Sequence, residues 1–151
     1  MLTVEPQLVE AFVNTGQVRL VFWPNLGLGE GSLAAAEAAY CAGDQDPVRF
    51  WAMHYRLFQQ QRELWTAQDR NALLKSYARE LRLDEPAFAA CLDGGKFRPE
   101  ITAQDQVRRN EGIRQRPSFK IFGPAQPQGR LAAGSQSFQA FQTLIQQARG
   151  E

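Results

Sequence analysis

Three kinds of residue in this sequence could carry chemistry: two cysteines, one histidine and a run of arginines. A cysteine pair exchanges disulfides when one thiol ionises, which happens at a helix N-terminus or beside a cation, usually within a CxxC. Cys41 and Cys91 are far apart in the chain, and neither lies in a CxxC. A mononuclear zinc site built on them and on His54, the single histidine, would have to recruit carboxylates to complete its ligands. No metal site and no cofactor are expected. A Cys–His nucleophile pair is disfavoured too, because both cysteines sit in apolar helical stretches, where a thiol is usually inert core. His54 falls among Phe50, Trp51, Tyr55 and Phe58 at helical spacing, the setting of a packed, hydrogen-bonded histidine.

Two further clusters need weighing. Gly27, Gly29 and Gly31 lack the GxGxxG spacing and no Lys-Ser/Thr follows, so they read as a flexible connection rather than a phosphate cradle. Arg108, Arg109, Arg114, Arg116 and Lys120 against Glu111 leave a local charge of +4. Such a cluster could attract an acidic peptide, an anion or nucleic acid. Without an aromatic platform or a base-reading motif, a solvated helix end and loop is the simpler reading, and no nucleic-acid partner is expected.

Composition sets the frame for the elements that must hold these residues. The 151 residues are 44% hydrophobic and 22% charged with a net charge of +1, an ordinary globular composition that excludes disorder, collagen-like repeats and disulfide-dense miniproteins. No apolar run of about 18 residues exists, so no membrane span is expected. The opening Met1-Leu2-Thr3-Val4-Glu5-Pro6 has neither a basic region nor an apolar core, and is not read as a signal peptide.

Leu8, Val9, Phe12 and Val13 predict a short amphipathic helix that stops at Asn14-Thr15-Gly16. Val18–Trp23, β-branched and aromatic, predicts a strand ended by Pro24. From Ser32 to Glu111 the signals are helical. Ser32 is expected to cap an alanine-rich helix to Ala42, and Asp46 with Pro47 the next. Thr66 with Asp69 signals a fourth helix bearing Leu73, Leu74, Tyr77 and Leu81. Asp84-Glu85-Pro86 opens a helix with Phe88, Cys91 and Leu92 that ends at Gly94-Gly95, and a last one runs from Ile101 to Glu111. Strand character returns at Pro117–Phe122. A turn from Gly123 to Gly129 and a strand Arg130–Ala133 would complete a hairpin. Ser135 is expected to cap a final helix with Phe138, Phe141, Leu144 and Ile145 on one face.

This order carries a resemblance. Gly16-Gln17-Val18-Arg19-Leu20-Val21-Phe22, the stretch Ala34–Ala42 with its embedded cysteine, and Phe50-Trp51 with His54 and Leu57-Phe58 resemble the DsbA-like branch of the thioredoxin superfamily. So do Leu83-Asp84 with Phe88 and Cys91-Leu92, and the close from Gly112-Ile113 through Pro117 and Gly123 to the helix near Phe138. The resemblance implies an α/β thioredoxin-like fold with a helical insertion. Residues 1–27 and 112–151 would form an incomplete core, and 28–111 the inserted helical subdomain. The resemblance also implies a thiol–disulfide oxidoreductase family and an extracytoplasmic setting, periplasmic or secreted.

The sequence departs from that family at its start. Members begin with a strand leading into a CxxC at a helix N-terminus, whereas Met1–Gly16 resembles only the later part of that helix. The chain as given is therefore expected to be N-terminally truncated relative to its family, without the first core strand, and redox-inactive. No catalytic residue is assigned. The resemblance makes Pro117 a cis-proline of the substrate-binding loop, in the position that faces the CxxC in the family. It gives Arg116, with Gln115 beside it, the role of meeting an extended, cysteine-containing polypeptide; a proline that merely opens a strand is the other reading. The missing strand would leave Val18–Trp23 and Ser118–Phe122 with unpaired edges. They would be closed by a second chain in a strand-completing homodimer, by direct re-pairing, or by residues upstream.

For Cys41 and Cys91 the resemblance offers a structural disulfide between two helices of the insertion. That closure would contribute about 4 kcal/mol; two reduced, buried thiols are the alternative. Two other functions stay open. One is a non-catalytic module that binds peptides or a partner, and the other a glutathione-using transferase or isomerase relative.

Overall fold

A computed structural model describes residues 3–151. Its contacts divide the chain into two units, one reaching Phe22 and resuming at Gly112–Glu151, the other Trp23–Glu111. The first division thus falls at 22/23 rather than 27/28. The reason is local: the Trp23 indole N–H donates to Gln104 O (2.9 Å), and Leu26 N–H donates to Asp105 Oδ1 (2.9 Å). These bonds make the segment part of the helical unit. The glycine-rich loop that follows is therefore pinned at its start rather than a free connection.

The helical unit contains α2 (Glu30–Gln45), α3 (Pro47–Gln59), α4 (Gln61–Thr66), α5 (Arg70–Glu80), α6 (Glu85–Asp93) and α7 (Arg98–Asn110). Three starts are fixed by aspartates. Asp46 accepts from Val48 N (2.8 Å), Asp69 from Ala72 N (2.9 Å) and Asp84 from Ala87 N (2.9 Å), each cap contributing about 1 kcal/mol. Thr66 caps nothing, because its hydroxyl donates back to Arg62 O (3.0 Å) inside α4. Ser32 is not a cap either: α2 starts at Glu30 behind Gly29, whose φ of 73° suits glycine. That early start puts Gly31 against Trp65, where a Cβ would lie 2.2 Å from the indole ring. The helix also runs on to Gln45, and α7 begins at Arg98, before the expected Ile101, because Pro99 fits a first turn.

The core of this unit is built on the alanine face of α2. Ala38 and Ala42 are wholly buried with Met53, Leu74 and Phe88. Small side chains let α3 approach closely: at Gly43 a Cβ would stand 3.1 Å from Phe50 Cβ. Cys41 and Cys91 form a disulfide joining α2 to α6, with their Cα atoms 5.8 Å apart and both residues buried. His54 is packed as expected, 3% exposed, its ring centroid 4.9 Å from that of Phe58 and 5.4 Å from that of Trp51. Tyr77 ties three helices together. Its hydroxyl donates to Glu63 Oε2 (2.9 Å) and its ring lies 4.8 Å from the Arg56 guanidinium, which also pairs with Glu80. Burial, reinforced by the Glu63 carboxylate, pushes its phenol up to about 12.

The other unit holds α1 (Val4–Leu8), which widens into a π-helical turn (Val9–Val13), then β1 (Ser118–Gly123), β2 (Gln126–Ala133) and α8 (Phe138–Arg149). Asn14 N–H reaches back five residues to Val9 O (2.8 Å), and Gly16 takes φ 72° beyond it. Leu8, Phe141 and Ile145 form the core, with Phe12, Val18, Phe119 and Phe138 against them. The strands pair antiparallel, Phe119 opposite Ala132 and Ile121 opposite Arg130, with an irregularity between Ile121 and Gly123. Gly123 pairs with Gln126, so the turn shrinks to Pro124-Ala125 and β2 starts before the expected Arg130. Pro127 is tolerated because an edge strand can spare one N–H. The hairpin end rests on α8: Ala125 N–H donates to Ala148 O (3.0 Å), and a Cβ on Gly123 would stand 2.2 Å from that oxygen. The α8 cap is Ser137, accepting from Ala140 N (3.2 Å), not Ser135.

Val18–Trp23 is the main correction. No strand forms there, and the only sheet among the described residues is the β1–β2 hairpin. A strand exists only when paired, and here Gln17 and Val18 N–H groups both donate back to Phe12 O (2.9 and 3.0 Å), while Trp23 is bonded to α7. Direct re-pairing of this segment with Ser118–Phe122 therefore does not occur among the described residues.

Asp105 holds the 23–26 segment in place. It is fully buried and accepts from Leu26 N and from Arg108 Nε (2.8 Å), with Arg109 Nη1 2.9 Å from its other oxygen. Burial pushes its carboxyl up, but the hydrogen bonds and the two guanidinium charges outweigh that and hold it below its ordinary 3.8. A depressed carboxyl contributes stability above its unfolded value, which is lost as pH falls through the folded value.

Two predictions follow from these locks. Asp105→Asn should cost about 3 kcal/mol at neutral pH. It should also flatten the loss of stability expected of the parent below pH 3.8, read by urea unfolding across pH; an equally steep acid loss in the variant would contradict this. Replacing both Cys41 and Cys91 by alanine should lower the melting temperature by roughly 10 °C, through about 4 kcal/mol of lost loop closure. Calorimetry showing no change would contradict it.

Candidate functional site

The sequence-derived site lies where the chain leaves a glycine turn and enters β1. Gly112 takes φ 72°, five residues run to Pro117, and the strand begins at Ser118. Both shoulders of the loop are tied to the hairpin. Ser118 Oγ donates to Gln115 O (2.7 Å), and Gly134 N–H donates to Pro117 O (2.8 Å). Gly134 has φ 82°, and a Cβ there would stand 3.3 Å from Gln115 Nε2, so the second strand exits close beneath the loop. The Arg116–Pro117 bond is cis. Gln115 and Arg116 are exposed and Pro117 is half-buried.

This arrangement brings Gln115, Arg116 and Pro117 together at one end of an edge strand, which is a place where an extended chain can lie alongside main-chain groups. The loop contains no nucleophile and no general base. The two cysteines are elsewhere, in the helical unit, and the disulfide uses both. No group of three or more His, Cys, Asp or Glu among the described residues could hold a metal ion. No helix among them is long and apolar enough to cross a membrane.

The basic cluster is split by the fold. Arg108 and Arg109 belong to the helical unit and turn to Asp105. Arg114, Arg116 and Lys120 belong to the other unit and are exposed. Sequence reasoning placed Phe122 in a strand but did not single it out, nor Leu131. The structure leaves them 59% and 47% exposed on the hairpin face opposite α8. Strand alternation could have shown this, since Phe119 and Ile121 share one face, and Lys120 and Phe122 the other.

A search of curated proteins gives no match. A family model described as Thioredoxin matches residues 2–147. The match spans both units, and the helices inserted between α1 and the hairpin fit an α/β thioredoxin-like fold with a helical insertion. By that match, the chain belongs to the thioredoxin family.

Proposed function

We propose that this chain is a DsbA-like member of its family, related to thiol–disulfide oxidoreductases, that holds extended polypeptide at Gln115–Arg116–Pro117 without exchanging disulfides itself. The observation that carries this reading is the fate of the cysteines. The sequence has two, and both are locked in a buried bridge between α2 and α6. Exchange needs a thiolate that a substrate disulfide can reach, and a bonded pair whose residues are 1% and 8% exposed offers none. What the chain does offer is a tied, exposed loop beside an edge strand.

Peptide capture of this kind relies on main-chain hydrogen bonding, with side-chain contacts choosing among sequences. The bond from Gly134 to Pro117 O and the bond from Ser118 to Gln115 O fix the loop before any ligand arrives. A fixed backbone loses less entropy on binding.

The test has two parts. The 151-residue protein should not accelerate insulin reduction by dithiothreitol, and should titrate no thiols until it is reduced in denaturant. Reduced, S-carboxymethylated insulin B chain should shift the amide resonances of residues 114–118 in a 15N spectrum. Insulin reduction by the folded chain, or shifts confined to the helical unit, would overturn the proposal.

A further inference from the structure

We infer that the outer edge of β2 pairs antiparallel with the same edge of a second copy of this chain, forming a weak dimer through Leu131–Ala133. This is independent of the Gln115–Pro117 loop and uses the other strand of the hairpin.

Main-chain geometry fixes which groups face outward. In an antiparallel ladder each residue turns its N–H and its carbonyl to the same side, and neighbours alternate. Gly134 N–H donates to Pro117 O, and the register continues with Phe119 opposite Ala132 and Ile121 opposite Arg130. Ala132 and Arg130 therefore turn their main-chain groups to β1, whereas Leu131 and Ala133 turn theirs away from it. Among the described residues β2 has no second strand beside it, and neither of these outward N–H groups has an acceptor. The Ala133 carbonyl accepts from Gln136 Nε2 (3.1 Å), which takes one of its two lone pairs. Both residues are exposed.

Edges of this kind are usually guarded by charge, proline, a bulge or a covering element. In β2 the guards stand at the two ends of the open stretch, and none stands within it. On one side Pro127 has no N–H to offer, and the irregular pairing past Ile121, with Gly129 at φ 75°, bends the strand. On the other, Gly134 at φ 82° turns the chain away. A long extended ligand would run into both bends. A copy of the same strand is bent at the same residues, so it ends where this one ends.

Side chains select the register. With Ala132 opposite its own copy, Leu131 of each chain faces Ala133 of the other, and all the outward main-chain groups of both residues are used. Arg130 is the one charge in β2, held to Gln147 Oε1 (2.7 Å), and it then faces a glycine, Gly134 of the copy. Centring the pair on Arg130 instead would set two guanidinium groups opposite each other, which like charge disfavours. On the face turned away from α8 the two Leu131 side chains become diagonal neighbours, about 7 Å apart and within reach. Leu131 is 47% exposed in the single chain, so pairing covers apolar surface as well as main chain.

An interface this short belongs with transient contacts, and a dissociation constant of about 0.1 mM is expected. Sedimentation equilibrium on the whole chain, from about 10 µM to about 1 mM, should show the average mass rise from one chain toward two. Over that range hydrogen exchange at the Leu131 and Ala133 amides should slow about fourfold, as the free edge is depleted. Ala133→Pro removes an outward N–H and leaves the bonds of β2 to β1 in place. It should keep the circular dichroism spectrum and remain a single chain throughout. Leu131→Glu sets two carboxylates across the axis, and should have the same effect if the proline variant fails to fold.

A single-chain mass for the parent at every concentration would overturn this inference. So would a dimer that persists in both variants, or exchange that slows only at other amides. Each of those results leaves the polypeptide-holding loop standing.

Discussion

The hairpin depends on one aromatic contact. A two-stranded hairpin is marginal in water on its own, and β1–β2 is the whole sheet among the described residues. It persists because Phe119 leaves the sheet edge-on to Phe141 of α8, with ring centroids 4.7 Å apart. Ile145 and Leu8 close the same apolar layer. The far end is fastened separately, where Gly123 and Ala125 both sit on the Ala148 carbonyl near the end of α8. The proline loop inherits its position from that attachment. Pro117 O and Gln115 O are bonded to residues of the hairpin, so α8 fixes the loop by holding the hairpin.

The helical unit is organised by a different rule. Its centre is made of small residues, Ala38, Ala39 and Ala42, which bring helices close. The disulfide and the Tyr77–Glu63–Arg56 contacts then bind elements that are distant in sequence. Cysteine serves architecture here. Both cysteines lie buried where α2 meets α6, and the Gln115–Pro117 loop of the other unit contains neither.

Several local signals were legible in the sequence. Asp46-Pro47 and Asp84-Glu85-Pro86 mark helix starts because a carboxylate and a proline satisfy the same few N–H groups by two routes. The aromatic periodicity around His54 also read correctly. The misreadings came where neighbouring residues compete. Ser32 and Ser135 have the chemistry of caps, but α2 starts earlier to seat Gly31 on Trp65, and Ser137 wins at α8. Val18–Trp23 failed for a deeper reason: strand propensity is local and pairing is not. The disulfide and the proline loop were reached through resemblance, because no spacing rule pairs two distant helix cysteines or marks one proline among eight. The exposed Phe122 and Leu131 were encoded in alternation, but needed the register to become a surface.

The burial of the Cys41–Cys91 bridge has a kinetic consequence. A reductant cannot reach a sulfur on a residue that is 1% exposed until α2 and α6 part. The rate at which the bond is reduced in native buffer then scales with the population of the state in which those helices are apart, and becomes independent of the reductant only when attack outpaces reclosing. Loss of the bridge thus reads out separations of α2 from α6 that the closed structure hides.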